Sequence, residues 1–233
     1  MARITRKELK SDKFALEVEH TVSFFEEHRK EIVRYGAIAI AVAALVLGYL
    51  TYSRHQRTGR EQALSHAIEL ERAPVGPADP RGGPSFPTEA AKDQALIQAF
   101  SGIVARYSGT TEGEIAQYYL GTVQADQGKL VEAERAFQEV ARNGRADYAS
   151  LAKLALGQVY FAQGKDRDGE AVLRDLMAHP TVFVSKEQAA VTLAQDLMTK
   201  NPAEARKLLD PLKTQGGPVG QLVQTLWSQL PPQ

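Results

Sequence analysis

The 233-residue chain carries 28 basic and 28 acidic side chains and so has no net charge, which excludes the strongly positive field that a nucleic acid partner calls for. It contains no cysteine, which removes disulfides, thiolate metal sites and thiol nucleophiles from consideration. Aromatic residues make up 7%, and period-two runs of β-branched residues are missing, so the expected fold class is all-α.

The first segment, residues 1–34, reads as a charged cytoplasmic arm. Ser11 can cap a helix in which Phe14, Val18, Val22 and Phe25 share one face, giving an amphipathic element suited to a membrane surface or to the cytoplasmic loops of a partner. A solvated stem with a weak apolar stripe is the alternative.

Residues 35–53 contain no charge and lie between Arg34 and Arg54. As a helix they extend about 28 Å, close to the hydrocarbon thickness of a bilayer. A buried helix of a soluble core keeps a polar face, and this stretch has none, so it is read as one transmembrane helix in contact with the lipid bilayer. The long charged region before it, and the lack of a small-x-small site after it, favour an uncleaved anchor over a cleaved signal. Arg29, Lys30 and Arg34 before the span are balanced by Arg54, Arg57 and Arg60 after it, but Arg3, Arg6, Lys7, Lys10 and Lys13 tip the orientation towards a cytoplasmic N-terminus. Ala37, Ala41, Ala44 and Gly48 form a small-residue face on which another membrane helix can pack.

Beyond the span no breaker interrupts the helical pattern of Ala63, Leu64, Ala67, Ile68 and Leu70, with Gly59 as the weak point. Residues 73–87 then hold five prolines and three glycines and are expected to form a loop. The whole of 54–233 is assigned to one repeat domain carrying that loop. Thr88 caps a helix through residue 107, with Ala95, Leu96, Ala99, Phe100 and Ile103 facing inward. Residues 111–114, Thr-Glu-Gly-Glu, have the spacing of a capping box.

A repeat follows. Leu120-Gly121, Gly128, Ala133 and Phe137 return 36 residues later as Leu156-Gly157, Gly164, Gly169 and Leu173. Small residues at 121, 133, 157 and 169 allow paired helices to approach, Gly128 and Gly164 suit left-handed turns, and Phe137 and Leu173 are the buried knobs. A third pair opens at Ser185 with Gln188 and at Asn201-Pro202-Ala203-Glu204, with Leu208, Leu209 and Leu212 inward. A closing helix over 218–230 presents Val219, Leu222, Val223, Leu226 and Leu230 beside Trp227.

These positions resemble the tetratricopeptide repeat over residues 88–230, including the expected aromatic at Tyr160, although Gln117 and Lys153 stand where the family usually has an aromatic. The resemblance implies an α-solenoid of helical hairpins. The layout as a whole, an arm with TRKELK at residues 5–10, one span and a repeat domain, resembles the ancillary SecYEG translocon subunit family. That resemblance implies a bacterial inner membrane location with a periplasmic repeat domain. It also implies partners among the translocon, a periplasmic chaperone and a nascent chain.

Nothing in the chain suggests catalysis. His20, His28, His55, His66 and His179 lack metal-ligand spacing, and Gly82-Gly83 and Gly216-Gly217 lack the lysine of a phosphate loop. No enzyme activity, cofactor, metal or small-molecule substrate is expected. Binding is expected on the concave face formed by the first helices of the hairpins, at Tyr118, Thr122, Asp126, Leu151, Leu154, Gln158, Phe161, Val191, Gln195 and Met198. Their apolar floor suits an extended segment or helix of another protein, unless the closing helix around Trp227 covers it. The expected function is a membrane-anchored scaffold. The rivals are a structural accessory subunit of another inner-membrane complex, respiratory or photosynthetic, and a homo-oligomeric tether.

Overall fold

The structure, a computed structural model, describes residues 29–77 and 83–231. The amphipathic arm expected before residue 29, with its TRKELK stretch, lies outside the described residues, as does the middle of the proline- and glycine-rich loop. The described residues form nine α-helices: α1 (Arg29–Arg72), α2 (Glu89–Arg106), α3 (Thr111–Asp126), α4 (Leu130–Asn143), α5 (Ala146–Ala162), α6 (Asp166–Ala178), α7 (Lys186–Lys200), α8 (Pro202–Leu209) and α9 (Gly217–Gln229). A 3₁₀ turn, Asp210–Leu212, follows α8. The chain divides into two compact units, Met1–Thr58 and Gly59–Gln233.

In the first unit, α1 is long and apolar enough to cross a membrane, with a mean hydropathy of 1.9 over its most apolar stretch. Its large side chains are exposed, Leu45 by 74% and Tyr49 by 70%. The Thr51 and Ser53 hydroxyls turn back on the helix: Thr51 Oγ1 donates to the carbonyls of Leu47 and Gly48, each at 2.9 Å, and Ser53 Oγ to that of Leu50 at 3.2 Å. Such bonds satisfy the hydroxyl without a solvent partner. The helix continues to Arg72, and Gly59 does not interrupt it.

The second unit begins with the last turns of α1. Leu64 and Ala67 are buried against Leu96, Phe100 and Ile103 of α2 and Ala116, Leu120 and Val123 of α3. The loop that follows is closed at its base: the Gly76 N–H donates to the Phe86 carbonyl at 2.9 Å and the Phe86 N–H to the Pro74 carbonyl at 3.1 Å.

From α3 onward the chain builds hairpins, α3 with α4, α5 with α6, and α7 with α8. The first two are drawn together at glycines. A Cβ on Gly121 would stand 2.8 Å from the Phe137 ring, and one on Gly157 would stand 2.8 Å from Leu173 Cδ2, both inside van der Waals contact. Phe137 and Leu173 therefore rest on bare backbone, and both are fully buried. Gly128 and Gly164 adopt φ of 72° and 74°, the left-handed conformation that ends α3 and α5. Between hairpins, Gln138 Nε2 donates to the Tyr160 hydroxyl at 3.0 Å, which gives the repeat-pattern tyrosine its partner.

The caps expected at Thr88, Ser185 and Asn201 are present, accepting from the N–H groups of Ala91, Gln188 and Glu204 at 3.2, 3.1 and 3.3 Å. One expectation shifts by a residue: Thr110, not Thr111, caps α3, accepting from the Gly113 N–H at 3.2 Å. Glu114 does not close a box there. Its carboxylate accepts the Arg145 N–H at 3.1 Å, at the start of the next hairpin's α5. The closing helix begins at Gly217 and buries Val223 and Leu226, while Leu222 faces outward. Trp227 lies beneath two cations, with Lys213 Nζ 4.1 Å and the Arg206 guanidinium 5.0 Å from the ring centre.

Asp196 on α7 is half-buried near the Lys200–Asp166 ion pair. Burial pushes its carboxyl up to about 6; Lys200 opposes the shift and Asp166 adds to it.

Two stability outcomes follow from these contacts. Gly157→Val should cost about 1–3 kcal/mol through overpacking against Leu173. Gly102→Ala, in the exposed interior of α2 with no atom near its Cβ, should gain up to about 1 kcal/mol of helix propensity. Thermal unfolding followed by circular dichroism reads both. Because the folded state holds the Asp196 proton more tightly than the unfolded chain, its stabilising effect is full below 3.8 and is lost as pH rises through about 6. Asp196→Asn should therefore flatten that part of the stability profile and stabilise the protein above it, by on the order of 1 kcal/mol for a half-exposed group. An unchanged pH dependence in the variant would remove Asp196 as the cause.

Candidate protein-binding groove

The first helices α3, α5 and α7 lie side by side, and between the first two is a cavity of about 290 Å³. Helical spacing puts Tyr118, Thr122 and Asp126 on one wall, four residues apart, and Ala155, Gln158 and Ala162 on the other; Leu130 and Phe137 of α4 complete the lining. Four of the expected binding residues, Tyr118, Thr122, Asp126 and Gln158, thus line one cavity.

The cavity is apolar at its base with polar groups on its walls. Tyr118 is held by rings on three sides, with centroids of Tyr119 at 5.7 Å, Phe137 at 5.8 Å and Tyr148 at 6.0 Å. Burial raises its hydroxyl pKa above the ordinary tyrosine value. Thr122 Oγ1 donates to the Tyr118 carbonyl at 3.2 Å. Asp126 and Gln158 are exposed at the wall. An apolar base beneath a phenol, an amide and a carboxylate offers hydrophobic contact with a few orienting hydrogen bonds.

The remaining expected residues are placed elsewhere. Gln195 lines a separate cavity of about 190 Å³ between α7 and α9, with Gln188, Val219 and Leu222. Val191 borders it but is only 4% exposed, because α9 packs over this part of α7. Leu151, Leu154 and Met198 are partly buried against the core shared by the second and third hairpins. Phe161 is corrected outright: at 7% exposure it is a core residue. The reason is Gly169, whose missing side chain opens the slot that the Phe161 ring fills; a Cβ there would come within 2.9 Å of it. Lys200 Nζ stands 5.3 Å from the centre of the same ring. The sequence reading also left out Leu130 and Ala155, whose place in the lining depends on how the second hairpin docks on the first.

On α1, Ala37, Ala41, Ala44 and Gly48 are exposed, and among the described residues nothing beyond its own helix backbone and chain neighbours lies within 4 Å of an ideal Gly48 Cβ.

Comparison with curated proteins returns no match, and neither does comparison with solved structures. The tetratricopeptide repeat-like domain family matches residues 23–190, a range that takes in all of α1 and α2, the first two hairpins and the start of α7. With more than half of its length matched and its helices paired as hairpins, the chain belongs to the tetratricopeptide repeat-like domain family.

Proposed function

We propose that this protein is a single-pass, membrane-anchored, non-catalytic scaffold. It uses the α3–α5 groove to hold a segment of a protein partner, as an accessory to the Sec translocon and its periplasmic chaperones in the bacterial inner membrane. The observation that carries the reading is the groove itself: four residues, Tyr118, Thr122, Asp126 and Gln158, converge on one apolar-based cavity in a fold whose general use is protein recognition. The exposed apolar stretch of α1 supports the anchor, since a helix apolar on every face is stable in lipid and not in water. The orientation rests on the basic residues before the span, and places the repeat domain in the periplasm. The translocon assignment rests on the overall layout of arm, span and repeats.

A second reading, an accessory subunit of a respiratory or photosynthetic complex, is favoured by the open small-residue face at Ala37, Ala41, Ala44 and Gly48, which would then carry the docking.

Photocrosslinking from Gln158 in native membranes tests the first reading, with translocon subunits, chaperones or exported chains as the expected adducts. Adducts containing only further copies of this chain would sink it. Filling the cavity with Thr122→Arg and Gln158→Arg should lower recovery of the partner about tenfold or more, roughly 1.4 kcal/mol. Replacing the four small residues by Leu should leave recovery unchanged. The reverse pattern selects the second reading.

A further inference from the structure

Along one edge of the repeat unit, contacts join the starts of successive first helices. Arg60 Nε donates to Glu112 Oε2 at 3.1 Å, and the Arg145 N–H donates to Glu114 Oε2 at 3.1 Å. The Tyr148 and Phe183 rings meet edge-on at 6.0 Å, and Thr181 Oγ1 donates to Ser150 Oγ at 2.7 Å. So α3, α5 and α7 all begin on this edge. It is also where the chain enters the unit, since Arg60 is the unit's second residue. The opposite edge is marked by Gln163 Nε2 donating to the Leu130 carbonyl at 2.9 Å and by the Lys200–Asp166 pair.

The entry edge carries a preformed turn between α6 and α7. The Thr181 N–H donates to the Val184 carbonyl at 2.9 Å, and the Val184 N–H donates to Thr181 Oγ1 at 3.2 Å. Val184 is fully buried, and Ser150, which holds the Thr181 hydroxyl, is 3% exposed. With both ends fixed, the two middle residues are held outward: Val182 is 94% exposed and Phe183 46%. Turn tips ordinarily hold small or polar residues, so an outward Val-Phe pair on a fixed turn calls for an apolar environment. The charged residues at the starts of α5 and α7 on this edge are balanced in sign: Arg145 and Lys186, exposed, are cationic, and Asp147 and Glu187, half-buried, are anionic. The apolar pair, not a charge pattern, is what this edge offers.

We propose that Val182 and Phe183 enter the interfacial layer of the bilayer that α1 crosses, giving the repeat unit a second lipid contact. This rests on the reading of α1 as a membrane span. Lipid is favoured as the occupant by chain length: Arg60 follows Ser53, the last residue of the uncharged stretch, by seven residues. In any conformation, that holds the start of the edge within about 25 Å of the membrane. Two side chains bind lipid weakly on their own. Attached to an anchored chain they act at high effective concentration, and the contact needs no anionic lipid.

The absence of cysteine makes the test direct. Full-length variants Val182→Cys, Leu45→Cys in the span and Val131→Cys on the opposite edge are labelled with a small fluorophore. They are reconstituted into vesicles of phosphatidylethanolamine and phosphatidylglycerol. Quenching by iodide in water and by doxyl groups on lipid is then measured. The expected result is several-fold weaker iodide quenching and stronger doxyl quenching at Val182 than at Val131, with Leu45 fully shielded from iodide. If Leu45 is shielded while Val182 matches Val131, the turn contact is overturned and the anchor stands. If Leu45 is open to iodide, the anchor falls and the turn contact with it. Shielding of Val182 that disappears as protein is diluted among vesicles would mark a second copy as the occupant, and also overturns the proposal.

Discussion

The repeat unit depends on three positions that carry no side chain. Gly121 and Gly157 let Phe137 and Leu173 lie against the backbone of the partner helix, and Gly169 brings α6 so close to α5 that a Cβ there would stand 3.0 Å from the Gly157 carbonyl oxygen. Van der Waals attraction falls steeply with separation, so this proximity is what turns two marginal helices into a hairpin with a dry seam. A glycine in the middle of a helix costs about 1 kcal/mol in backbone entropy. That cost is met here by burying a phenylalanine or a leucine completely.

Once the hairpins are closed, their outer faces remain apolar and must be covered by neighbours. Among the described residues the core accordingly falls into three clusters: one joins the end of α1 to α2 and α3, one joins the first hairpin to the second, and one runs from the second hairpin to α9. The polar contacts follow the same logic. Glu114 serves Arg145 of the next hairpin, Gln138 serves Tyr160, and Ser150 serves Thr181, so each hairpin is completed by atoms about 22 to 31 residues along the chain. The α3–α5 groove is a by-product of this stacking, open because no other helix among the described residues covers it.

Much of this architecture was legible in the sequence, because the signals that set it are local. Thr88, Ser185 and Asn201 bond to N–H groups three residues away, and the glycine turns at 128 and 164 answer to the backbone of their own helices. The 36-residue recurrence then located the close approaches at Gly121 and Gly157. What was not legible depends on contacts between helices. Phe161 looked surplus on a helix apolar nearly all round, but the slot that buries it is made by Gly169 on another helix. Val191 looked open until α9 was laid across it. Glu114 had the right spacing for a box on its own helix, yet the cap falls one residue earlier and frees its carboxylate for Arg145.

The groove was found more fully on the α3 side than on the α5 side, and the difference has the same origin. On α3, Tyr118, Thr122 and Asp126 stand four residues apart on a helix with mixed composition, so the polar stripe marks the open face. On α5 nearly every position is apolar, and a helical wheel cannot tell which apolar residues meet a neighbour. Ala155 and Ala162 line the cavity while Leu151 and Leu154 do not, because small side chains there leave the space that larger ones elsewhere fill. Specificity in such a site falls to its few polar groups. Tyr118, fixed by three rings, offers a neutral hydroxyl that can donate or accept a hydrogen bond, whereas the exposed Asp126 carboxylate offers a charge, so the cavity presents one orienting group and one charged group above an apolar base.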